Sequence, residues 1–352
     1  MDRSSAGTAR PWFAPALSHE QRATSQRALR LLFGAYILAF ALKHIGASWD
    51  VAWHFRFLRD DLIPPHIINL AGNFIAGGLL FFQYRTGVGV ERRSFLVMLA
   101  GLAMFVIAVP LDVLNHRIFG LDVTIWSPPH LTLFFGSTIC LLGLLWSWLQ
   151  QAAPGAWRTA YTFVFLVLVM DCAIFVLGQQ EYGVLALDAY NRGVSTASAD
   201  LIALARGNVA RFVSGGIPEW LYPLWMVTTA TAVMLLARLA QPGRWTATLI
   251  AALYLLYRAV GAALLTAAEF PPSFIPLMLL FAALALDLAA RAWRAPLASA
   301  LAVVAAFYGS AALIGAWTLM PPFAPWTAPL ALLAVWGEAA ASSQFRVRRF
   351  EL

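Results

Sequence analysis

Charge is what this chain has least of. Only 12% of its 352 residues are Asp, Glu, Lys or Arg, against roughly 25% in an ordinary soluble domain. Lysine is nearly absent: Lys43 stands alone beside 23 arginines. Cysteine is as scarce. Cys140 and Cys172 both lie inside apolar runs, which excludes a disulfide framework and a thiolate-type metal motif. Each is expected to be a small buried hydrophobe. Also missing is a short apolar core with a small-residue cleavage site near residue 1, so no cleaved signal peptide is expected.

What fills the space is apolar. Hydrophobic residues make up 61% of the chain and the mean hydropathy is +0.73. The apolar runs recur along the whole length at about the 20 residues needed to cross hydrocarbon. The expected fold class is therefore all-α and polytopic. Ten membrane helices are expected, at 29–48, 65–83, 94–114, 129–150, 157–178, 219–239, 246–268, 273–291, 296–318 and 326–342. They read as repeated helical hairpins. Residues 1–28 form a polar N-terminal tail and 343–352 a basic C-terminal tail. Between them lie two motif-bearing hairpins (29–150), a fifth helix with a long loop (151–218), and Ala/Leu-rich hairpins (219–342).

The net charge of +7 does not point to nucleic acid. The arginines stand at the ends of apolar runs and do not cluster with aromatics, as expected of loops anchored at a bilayer surface. With the N-terminus inside, every inner segment is basic, and the acids gather outside. Both termini are thus expected in the cytoplasm, in a bacterial cytoplasmic membrane, with the lipid bilayer as the first partner.

Polar residues are rare enough for their placement to matter. Four of the six histidines fall in two matching stretches. The first reads Asp50-Val-Ala-Trp-His54, then Asp60, then Pro64-Pro65-His66. The second reads Asp112-Val-Leu-Asn-His116, then Asp122, then Pro128-Pro129-His130. Pro-Pro also opens the expected helices after 271–272 and 321–322, where proline suits a first helical turn. There the next residue is Ser273 or Phe323, so the turn recurs without its histidine.

An Asp and a His four apart share a helix face. If the helices continue through both motifs, each hairpin can gather one carboxylate and two imidazoles. That donor set suits a divalent or redox-capable metal with open positions. The expected ligands are Asp50, His54 and His66, and Asp112, His116 and His130. Copper comes first and iron second, with zinc and haem as further options. Asp60 and Asp122 are expected to hold a histidine tautomer, bridge metals or act as bases. The competing reading is a polar network that stabilises the turns. Asp-x3-His followed by a further His resembles the copper motif in the C subunit of particulate methane and ammonia monooxygenases. That resemblance implies copper near the outer face and oxidation of a small or lipophilic substrate, with an electron-donor or homo-oligomeric partner.

Two other function classes stay open: a metal-free permease and a haem-binding electron carrier. Arg258, Glu269 (both read in helix seven) and Asp171 would line a permease path, or Arg258 and Asp171 would simply pair. Asp287 is expected to pair with Arg291 one turn on, and Lys43 to reach toward the outer interface. His44 is expected to be an ordinary interfacial histidine. Residues 179–218 are expected to cap the mouth of a site.

Overall fold

The computed structural model describes residues 24–54, 63–119, 127–178, 220–270, 273–292, 295–318, 320 and 323–350. The loop expected to act as a lid, Asp60, Asp122 and the side chains of His54 and His116 lie outside the described residues. Within them there are ten α-helices and no strand. They are α1 (Gln26–His54), α2 (Pro64–Thr86), α3 (Arg92–Phe119), α4 (Pro128–Gln151), α5 (Ala156–Gly178), α6 (Leu221–Ala240), α7 (Thr246–Ala267), α8 (Met278–Ala292), α9 (Pro296–Ile314) and α10 (Ala328–Phe350). Eight are long and apolar enough to span a membrane. The other two are α8, with 15 residues, and α10, which runs on through Arg346, Arg348 and Arg349. The architecture is that of a multi-pass membrane protein.

Local sequence explains most boundaries. Pro64 and Pro128 open α2 and α4, where the missing N–H costs nothing. Gly87, at φ 66°, closes α2 in the left-handed conformation that glycine tolerates. The helix expected from 273 starts only at Met278. Pro276 is the reason, since the residue before a proline is driven out of the helical region. The last helix is likewise displaced to Ala328, behind a short 3₁₀ turn at Pro325–Thr327. Glu269 lies beyond the end of α7 and not within it. Its φ of 62° makes it the one non-glycine residue at positive φ among the described residues.

α1 with α2 and α3 with α4 form the two most intimate pairs, and both close through glycine. A Cβ at Gly72 would stand 2.4 Å from the Ala39 carbonyl oxygen and 2.9 Å from Lys43 N. A Cβ at Gly136 would stand 2.6 Å from the Gly101 carbonyl oxygen and 2.9 Å from Phe105 N. In hydrocarbon, helices associate by close packing, so small residues at the crossing set the approach. Gly72 and Gly136 each follow their Pro-Pro-His histidine by six residues, and Lys43 and Phe105 each precede their motif aspartate by seven. The two hairpins thus cross alike at the same register.

α5 joins the two halves, packing against α1 and α4 on one side and α6 and α7 on the other. Its Phe165, Leu166, Met170 and Ile174 are fully buried. At the end opposite the motifs, Trp148 wedges between Phe33 and Tyr161, with ring centroids 5.2 and 4.9 Å away. Its indole donates to the Arg158 carbonyl at 3.1 Å.

Candidate functional site

α1 continues without a break through Asp50 to His54, and α3 through Asp112 to His116. The helical condition for bringing carboxylate and histidine to one face is therefore met in both copies. The chain then returns, and the Pro-Pro turn starts the next helix with its histidine in the first turn.

That return closes a contact. His66 Nε2 stands 2.9 Å from Asp50 Oδ1, and His130 Nε2 stands 3.2 Å from Asp112 Oδ1. The partner atoms are the same in both hairpins. Exposure is also alike, at 31% and 21% for His66 and Asp50 and 20% and 21% for His130 and Asp112. These groups are neither sealed in the bundle nor free on its surface. His54 and His116 are placed by backbone alone, each one turn beyond its aspartate. Among the described residues, no three His, Cys, Asp or Glu side chains converge as a metal-holding group. The two Asp/His pairs are therefore separate, with two described donors each.

The hairpins differ below this level. α2 carries Asn69 and Asn73 on the turns that follow His66. Asn73 Nδ2 donates to the Asn69 carbonyl at 2.7 Å and to its side-chain oxygen at 3.1 Å. Lys43 Nζ in turn donates to Asn73 Oδ1 at 3.2 Å and lies 3.2 Å from the Phe105 ring centroid. Lys43 does not reach for an interface. It is 5% exposed, held by an amide and an aromatic face that both favour a cation. The matching residues of the second hairpin are Leu133, Ser137 and Phe105. Among the described residues, the first Asp/His pair has two amides and an ammonium beneath it, where the second has the Ser137 hydroxyl, which donates to the Leu133 carbonyl at 2.7 Å.

A second polar cluster lies at the junction of α1, α5 and α7. Asp171 is fully buried, with Oδ2 3.7 Å from His44 Nε2 and Oδ1 3.9 Å from Arg258 Nη1. The pairing of Asp171 with Arg258 is as expected. The inclusion of His44, 3% exposed, is not. Its spacing from the motif histidines carries no repeat, so nothing in the sequence singled it out.

Asp287 is also placed differently from expectation. It does not pair with Arg291 along its own helix. It is fully buried, accepts from Arg238 of α6, and accepts at 2.8 Å from both N and Oγ1 of Thr248 in the first turn of α7. Arg291 instead donates to the Arg244 carbonyl and stacks over Trp245. A carboxylate turned into the bundle can satisfy an orphan helix N-terminus, which an exposed i,i+4 partner does not require. This cluster ties α6, α7 and α8 together at the end opposite the motifs.

The chain matches no protein family, no curated protein and no solved structure.

Proposed function

We propose that this protein is a membrane metalloprotein with two separate metal sites at the motif end of its first two hairpins. One site takes Asp50, His54 and His66; the other takes Asp112, His116 and His130. The observation that carries this reading is the meeting of carboxylate and imidazole in both hairpins, at 2.9 and 3.2 Å. A carboxylate already held beside one imidazole, one helical turn from a second, is most of a three-donor site. Partial exposure leaves room for exogenous ligands, as a catalytic site needs and a closed structural site does not.

Copper is the first choice and iron the second, since the donors are imidazole and carboxylate without thiolate. The chemistry proposed is oxidation of a small or lipophilic substrate by dioxygen, with electrons from a donor protein. Asp60 and Asp122 are proposed as bases near the two sites. The motif end is proposed to face outward from a bacterial cytoplasmic membrane.

The test is elemental analysis of protein purified in mild detergent without chelator. Two copper or iron atoms per chain are expected, falling to one in His66→Ala or His130→Ala and to near zero in the double variant. Full metal retention in the double variant would sink the proposal. One observation favours a permease instead: Asp171 and Arg258 are charged groups buried in the bundle, and intramembrane charge often marks a transport path. Substrate flux into liposomes without stoichiometric metal would select that reading.

A further inference from the structure

The surroundings of His44 require more than a buried ion pair. Its Nδ1 lies 2.6 Å from the Phe40 carbonyl oxygen. Its Nε2 lies 3.2 Å from the Leu168 carbonyl oxygen. Carbonyl oxygens only accept, and a neutral imidazole has a single N–H. An acceptor at each ring nitrogen therefore suits the imidazolium, which donates from both. Asp171 Oδ2, 3.7 Å from the same Nε2, supplies the countercharge.

The neutral ring is provided for as well. Cys172 Sγ stands 3.2 Å from His44 Nε2. A thiol is a weak donor, so with the remaining proton on Nδ1 facing Phe40, Nε2 can accept from Cys172. Each protonation state of His44 thus has a complete set of partners, and the two sets share the Phe40 contact. A purely structural histidine needs only one set.

The Tyr257 hydroxyl lies beside Asp171 and Ser48, and neither Asp171 oxygen has a hydrogen-bond partner among the described residues. Ser48 is one turn from His44 along α1, toward the motif end. The charged and titratable groups around the site come from four helices. They are Lys43 from α1, Cys140 from α4, Cys172 from α5, and Tyr254, Tyr257 and Arg258 from α7. Asp171 faces both Arg258 and His44, so one proton on His44 changes the cluster's net charge by one.

We infer that His44 is a proton-binding site inside the helix bundle. Asp171 is its countercharge and Cys172 its partner when empty. It is independent of the proposed metal sites, which could fail without affecting it.

The test is nitrogen NMR of full-length protein labelled in its histidines and held in lipid nanodiscs. His44→Gln assigns the signal by removing it. The expected result is a reversible change of the His44 ring from the two-N–H pattern to the single-N–H pattern as pH rises. Asp171→Asn should weaken proton binding at least about tenfold, as loss of an opposite charge within a few ångströms does. Cys172→Ala, which needs no new charge balance, should strengthen it, because the empty ring loses its donor. A His44 ring held in one form at every pH the fold survives would overturn the inference. So would an unchanged titration in both Asp171→Asn and Cys172→Ala.

Discussion

Lys43 illustrates how a single side chain is held in apolar surroundings. Its ammonium has one amide oxygen, from Asn73, and one aromatic face, from Phe105. Buried charge is costly unless every contact compensates it, and an apolar replacement of similar volume is often neutral or stabilising. Lys43→Met should therefore leave the unfolding midpoint in detergent unchanged or raise it. Asn73→Leu removes the acceptor and keeps the charge, and should cost about 2 kcal/mol, visible as a lower midpoint. The reverse ranking would mean that Lys43 is kept for its charge and that Asn73 is incidental. At the same scale, Asp50 and His66 are half-buried neighbours whose contact does not depend on deep desolvation. Their replacement should read out in metal content before it reads out in stability.

Helices in this bundle meet through small residues, and the cost of filling those contacts belongs to the element. A methyl at Gly72 or Gly136 would fall 2.4 or 2.6 Å from a backbone carbonyl oxygen of the facing helix. Neither backbone can turn aside as a flexible side chain would. Gly72→Ala and Gly136→Ala should each destabilise the protein by about 1–3 kcal/mol through forced separation of the hairpin. Gly78 lies on the same helix as Gly72 with nothing within 4 Å of its own added Cβ. Gly78→Ala should gain up to about 1 kcal/mol from helix propensity alone. Thermal unfolding of the three variants side by side checks both signs. If the hairpins also position the Asp/His pairs, Gly72→Ala and Gly136→Ala should lower metal content as well, which Gly78→Ala should not.

At the scale of the molecule, α5 holds the motif hairpins to the later helices, while α2 and α3 turn broad apolar faces outward. Phe74, Phe81, Val106 and Ile107 are among the most exposed large hydrophobic residues. A lipid environment accounts for them, since hydrocarbon solvates such side chains as well as a protein core does. The turns at 87–91, 152–155 and 241–245 lie at one end of the bundle and the two Asp/His pairs at the other. Reporter fusions in the first three turns should all report the cytoplasmic side, in keeping with their arginine-rich flanks. Fusions at 57 and 123 should report the opposite side. A cytoplasmic signal from either motif turn would reverse the orientation and move the proposed sites to the inner face.

Hydropathy alone determined that this is a multi-pass helical protein, because it sums over some 20 residues at a time and needs no partner. Helical spacing alone also determined that Asp50 with His54 and Asp112 with His116 would share a face, and proline placed the starts of α2 and α4. These are local properties of one helix or one turn. What only the tertiary structure decided is where each polar side chain points and what it meets. Lys43 turned inward, His44 joined Asp171 and Arg258, and Asp287 left Arg291 for Arg238 and Thr248. Most of these helices are apolar on nearly every face, so no amphipathic stripe marks which side is the interior. Rotation about the helix axis is then set by the neighbours, through glycine contacts and buried polar pairs between residues far apart in the chain. His66 with Asp50 could be anticipated because a short hairpin brings the two together. His44 with Asp171 could not, because only the packing of α5 against α1 makes them adjacent.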